Sequence, residues 1–242
     1  MLSAEGLRHT FGEGRGQVVA LDDVSFTLTS GQTLAIFGPN GAGKTTLLKV
    51  LAGLIRPQAG SVRIAGGRRA IGWIGHETHL YEHLTVRENL LFWASLYGMP
   101  APRRGPRAAE VLGRLGLGDR ADRPVWSLSR GLAQRASIAK ALIHDPSVLL
   151  LDEPFTGLDL AAAAELRVLL GELRGRGAGG GGRVLVLATH NVDEGVELAT
   201  DVAFQRRGRF VHLAPLGGRG PSEIAEAYRR AVEQRTGGVT DG

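Results

Sequence analysis

Residues Gly38-Pro39-Asn40-Gly41-Ala42-Gly43-Lys44-Thr45 match the pattern G-x-x-x-x-G-K-[ST]. That pattern constrains the fold because it works only as a turn between a strand and a helix. Glycines let successive backbone N–H groups point inward around phosphate oxygens without Cβ clashes. The helix that follows adds its N-terminal partial charge. The flanks agree: Thr33 to Phe37 is a short apolar run, and Leu47, Leu48, Leu51 and Leu54 recur at helical spacing. Lys44 is placed to neutralise β- and γ-phosphates, and the Thr45 hydroxyl, with Thr46 beside it, to face a phosphate-bound magnesium ion. An accidental match in a chain with 36 glycines is the competing reading. The strand before and the helix after count against it.

A second feature supplies the chemistry such a loop lacks. Val148 to Leu151 is fully apolar, as a buried parallel strand is, and delivers Asp152 and Glu153 at its carboxyl end. Ligands of open α/β sheets sit at that edge. Asp152 suits magnesium, directly or through a water, and Glu153 can polarise an attacking water. Taken alone, the pair also reads as the acidic N-cap of a helix after Pro154.

The remaining segments order themselves around these two. Leu2 to His9 and Val18 to Leu28 read as strands across a Gly/Glu-rich turn, and Val62 to Ile64 and Ile71 to Ile74 as two more. Thr85 and Glu88 fit a capping box ahead of a helix with Val86, Leu90, Trp93, Ala94 and Tyr97 on one face. Residues 99–107, rich in Pro and Arg, read as a loop before a shorter helix carrying Ala109, Leu112 and Leu115. Ser129 precedes a helix with Leu132, Ala136, Ala139 and Ile143 on its apolar face, stopped by Asp145-Pro146. Asp159 can cap a helix carrying Leu166, Leu169, Leu170 and Leu173. After a low-complexity loop, Gly175 to Gly182, come a buried-type strand (Val184 to Ala188), a hairpin (Val202 to Leu213) and a helix from Ser222. This order describes an α/β core with an inserted helical lobe.

Composition narrows the function classes. The chain of 242 residues has no apolar run of eighteen, so a membrane-spanning helix is not expected, and its first residues show no apolar segment of a secretory signal. Without cysteine it forms no disulfide and uses no thiolate. The net charge of +5 comes from arginines spread along the chain, with lysine only at Lys44, Lys49 and Lys140. A nucleic-acid partner calls for a concentrated basic face, so none is expected.

Leu128-Ser129-Arg130-Gly131-Leu132, followed by Ala133-Gln134-Arg135, stands at a helix start shortly before the Asp-Glu strand. With the loop and the carboxylate pair, it resembles the signature motif of ATP-binding-cassette (ABC) ATPases, a likeness running over residues 2–213. The resemblance implies an α/β P-loop NTPase of ABC type: a mixed sheet core, an N-terminal antiparallel β subdomain and an inserted helical subdomain. It implies one domain over residues 1–216, with core 1–80 and 146–216, helical subdomain about 81–145, and a C-terminal helix and tail at 217–242. ATP and Mg2+ are the implied ligands. Ser129 and Gly131 then close over the γ-phosphate of ATP held by a second cassette, Asp159 lies in the loop crossing the dimer interface, and His190 contacts the γ-phosphate. Phe11 falls where an aromatic stacks on adenine, with a plain core Phe as the alternative.

Two positions depart from the family pattern. His76 stands where glutamine is usual, and imidazole is a poorer magnesium ligand than an amide oxygen. Leu132 replaces the final glutamine of the signature. The Gly75-His76 pair, the wording of Leu128 to Arg135 and the stretch Pro154 to Asp159 resemble the haem-exporter ATPase subfamily of cytochrome c maturation, as does the short C-terminus. The resemblance implies a cassette homodimer on membrane-spanning permease subunits in separate chains, peripheral to the cytoplasmic face of the cell membrane. Export of a drug, lipid or polysaccharide is the alternative, and a non-transport cassette acting on DNA or ribosomes a more distant one.

Overall fold

The computed structural model describes residues 1–75, 77–175 and 181–233. His76 lies outside them, as do residues 176–180 of the glycine-rich loop and 234–242 of the tail. Strands β3 (Thr33–Phe37), β6 (Val148–Asp152) and β7 (Val184–Thr189) are buried at every position, because both faces of a parallel sheet are covered. With β5 (Ile71–Ile74), β8 (Asp201–Arg206) and β9 (Arg209–Pro215) they form one sheet in the order β5-β6-β7-β3-β8-β9. All its pairings are parallel except β8 with β9, the expected hairpin. A second sheet, β2-β1-β4, is antiparallel and contains β1 (Leu2–Phe11), β2 (Val18–Leu28) and β4 (Ala59–Ile64).

Alternation along the core strands sorts side chains to two sides. Val148, Leu150 and Val186 join Leu47, Leu48 and Leu51 of α1 (Lys44–Leu51), which packs in turn against Leu7, Leu21 and Val24 of the antiparallel sheet. Leu149, Leu151, Leu185 and Leu187 point the other way, onto α4 (Arg130–Leu142) and α5 (Leu160–Gly175), through Ala139, Leu166, Leu170 and Leu173. A third cluster joins Phe37 and Phe204 to α6 (Val192–Val196) and α7 (Pro221–Glu233) through Val196 and Ile224.

Between β5 and β6 the chain builds α2 (Val86–Leu96), α3 (Ala101–Arg114) and α4. The capping box forms as expected: the Glu88 amide donates to Thr85 Oγ1 (3.1 Å), and the Thr85 amide donates to the Glu88 carboxylate (2.8 Å). Two expectations need correction. Residues 101–107 are helix, not loop. Pro102 falls in the first turn, where no intrahelical N–H is needed, and burial of Ala108, Val111 and Leu112 outweighs the bond lost at Pro106. The arginines that suggested a loop pin the helix instead: Arg104 Nε donates to Met99 O (2.8 Å), and Arg107 donates to Ile143 O (3.1 Å) and Leu142 O (2.9 Å). Leu54 does not share the face of α1, which ends at Leu51. Gly53 turns the chain at φ 72°, and Leu54 is left exposed.

Candidate functional site

The phosphate-loop residues join β3 to α1 in a shape that only glycine permits at two points. Gly43, at φ 102°, caps α1, and a Cβ there would lie 2.0 Å from Ala20 O. A Cβ on Gly38 would lie 2.3 Å from Gln205 O. The Gly208 amide donates to Ala42 O (3.0 Å), so the turn between β8 and β9 braces the loop from beneath. Lys44, almost fully buried, folds its ammonium back to donate to Gly38 O (2.7 Å) and Pro39 O (3.3 Å). Burial lowers its pKa, against the opposing pull of Glu153 and Asp152.

Strand β6 brings its carboxylates to the same place. Thr45 Oγ1 donates to Asp152 Oδ1 (3.1 Å), and Asp152 is buried, which raises its pKa against the hydrogen bond from Thr45. A buried carboxylate held above its ordinary value beside a hydroxyl is an oxygen pair that a cation would suit. Among the described residues no three His, Asp or Glu side chains are grouped so as to hold a metal ion by themselves. Magnesium needs no such group, since it is held by one or two carboxylates together with substrate phosphates. The residues fit the ion.

Glu153 begins the segment after β6 at φ 50°, its amide donating to Ala188 O (2.9 Å). Its Oε2 accepts from Thr189 Oγ1 (3.1 Å) and lies 3.0 Å from His190 Nδ1. Glu153, Phe11, Val18, Ala20 and residues 40–46 line one open cavity of about 330 Å3. Phe11 is 45% exposed, so it is no core residue; its ring lies T-shaped to His9, the ring centres 4.7 Å apart.

Ser129, Gly131 and Asp159 do not line that cavity. They form a second group where the starts of α4 and α5 meet. Ser129 Oγ accepts from the Leu132 amide (3.4 Å), Asp159 Oδ1 accepts from the Ala162 amide (2.8 Å), and a Cβ on Gly131 would come within 3.2 Å of Ala162 Cβ. Sequence reasoning missed Val18, Ala20, Thr189 and Gln205. The one signal for Gln205 was a polar residue inside an apolar strand; it is fully buried.

The model of the family described as "ABC transporter" matches residues 21–156. The ABC transporter ATP-binding protein NatA of Bacillus subtilis is 31% identical over 236 residues, covering 93% of this chain and 94% of that protein. The cobalt import ATP-binding protein CbiO of Rhodobacter capsulatus is 40% identical, covering 87% and 77%. Among solved structures, a dimeric ATP-binding cassette in a post-hydrolysis state with ADP and Pi superposes with a TM-score of 0.78 at 26% identity, over 90% of this chain and 100% of that one. A CbiO subunit from Clostridium perfringens, part of an ABC transporter complex, reaches 0.79 at 28% identity, over 97% and 94%. The chain belongs to the ABC transporter family, in which it is an ATPase domain.

Proposed function

We propose that this chain hydrolyses ATP as one half of a cassette homodimer, at the cytoplasmic face of a membrane, and drives permease subunits carried on separate chains. The observation that carries the reading is the meeting of Lys44, Thr45 and Glu153 at one cavity, with Asp152 bonded to Thr45 behind it and an aromatic ring at its edge. Phe11 takes the adenine face, and the amides from Gly41 to Thr46 receive the phosphates. Lys44 exchanges its two carbonyl partners for phosphate oxygens, a gain in charge-assisted bonding. Thr45 and Asp152 hold Mg2+, which supplies charge neutralisation at the β- and γ-phosphates when bound. Glu153 takes a proton from the attacking water, and His190 moves from Glu153 to the γ-phosphate. Ser129 and Gly131 of the opposite cassette close over the same phosphate, and Asp159 crosses between the two. No helix among the described residues is long and apolar enough to cross a membrane, which agrees with separate permease chains.

The cargo we assign is haem, on the stretches Gly75-His76, Leu128 to Arg135 and Pro154 to Asp159. Similar proteins carry the names cobalt import, Nod factor export and macrolide export, so the motor reading stands under any cargo. Tryptophan-rich, haem-handling membrane proteins should co-purify with the tagged chain; another pair of permeases in their place removes haem and keeps the motor. Glu153→Gln should bind MgATP with unchanged affinity and lose about a hundredfold or more in turnover. Undiminished hydrolysis in that variant would refute the base role.

A further inference from the structure

We infer that Thr189 is the positioning residue that holds Glu153 for proton abstraction, an inference that rests on Glu153 being the general base. Thr189 ends β7, the strand beside β6, and is fully buried. Its hydroxyl has one proton to give. The Asn191 amide donates to Thr189 Oγ1 at 3.1 Å, and with an acceptor site so engaged the proton is directed at Glu153 Oε2, 3.1 Å away. The Glu153 amide is tied to the same strand, at Ala188 O (2.9 Å). Backbone and side chain of the glutamate are therefore both registered to the end of β7.

That registration matters because Glu153 sits at φ 50°, a conformation an L residue keeps only when its surroundings impose it. Of the two side chains on Oε2, His190 is 63% exposed and is the one our mechanism sends to the nucleotide. Thr189 has no such freedom. Once His190 leaves, the Thr189 hydroxyl is the remaining side-chain anchor. Glu153 Oε1 accepts no hydrogen bond from the described residues. One carboxylate oxygen is thus held, and the other is left for water.

The test uses the full chain, with kcat expressed per nucleotide-binding site so that loss of folded protein does not count. Thr189→Val, which keeps the branched shape, should lower kcat roughly tenfold through a displaced carboxylate while KM for MgATP stays within about twofold. Thr189→Ser and Thr189→Ala form a second pair of like size, differing in the hydroxyl. The serine variant should retain most of the rate and the alanine variant should fall with the valine one. Equal kcat for serine and alanine, with Glu153→Gln inactive, overturns the positioning role and leaves the base in place. Wild-type turnover in Glu153→Gln removes both together. A rise in KM matching the fall in kcat/KM, with kcat unchanged, also overturns it, since that pattern reports nucleotide binding alone.

Discussion

Helix α1 begins at a glycine-rich turn and α4 at a serine cap; both starts are aimed at phosphate in the proposed mechanism, yet they are built in opposite ways. The start of α1 has Gly43 as its cap and no side chain accepting from its first amides. Those amides face a cavity that already contains a lysine, a hydroxyl and a carboxylate. The start of α4 caps itself, through Ser129 Oγ and the Leu132 amide, and lies apart from the cavity. An uncapped helix end ringed by glycine is an anion receptor complete within one chain. A self-capped end is stable unliganded and becomes a receptor only when another molecule brings the anion to it. The contrast accords with the dimeric cassette that this fold superposes on.

The sharpest way to break this contrast is Gly43→Ala. Its Cβ would collide with Ala20 O at 2.0 Å in a left-handed conformation. Nucleotide affinity of the single chain should fall on the order of a hundredfold or more, read by titration with a fluorescent ATP analogue. Ser129→Ala should act elsewhere. Binding to the single chain should stay within about twofold while hydrolysis drops roughly tenfold or more, and the lost cap lowers stability by about 1 kcal/mol. Equal damage to single-chain binding by both variants would erase the distinction between the two helix starts.

The smallest effect concerns the far end of α4. Lys140 is buried there, donating to Thr78 O (2.7 Å) and lying 5.3 Å from the Trp93 ring centre; burial lowers its pKa to about 8 from 10.5. Between those two values the unfolded chain holds a proton that the folded chain has shed. Its contribution to stability therefore rises with pH across that window. In thermal melts, the Tm of the wild type relative to Lys140→Met should climb by several degrees between pH 7 and pH 10. A flat difference would show that the ammonium is better solvated than its burial implies.

Much of this was legible because its causes are local. Unbroken apolar runs at Val148 to Leu151 and Val184 to Ala188 announce buried strands, the Thr85–Glu88 box announces α2, and the loop motif carries its own geometry. The start of α3 was misread because prolines and arginines signal a loop by composition. What makes it a helix is burial of Val111 and Leu112 and arginine bonds to carbonyls at Leu142 and Ile143, neither visible from neighbours in sequence. Thr189 and Gln205 escaped for a related reason. Their partners, Glu153 and Gly38, stand just past the ends of strands adjacent in the sheet and far apart in the chain. Ser129, Gly131 and Asp159 lie outside the cavity, which spacing alone does not reveal.

The place of β3 in the sheet has a consequence for how such a molecule is made. Its hydrogen-bonded neighbours are β7 and β8, synthesised about 150 residues later, a separation that slows native pairing. Emerging first from the ribosome, the nucleotide-gripping loop has neither flank nor the turn that braces it. A growing chain therefore completes its grip on ATP only once β8 and Gly208 have followed the loop out, and until then its apolar strand is exposed to aggregation.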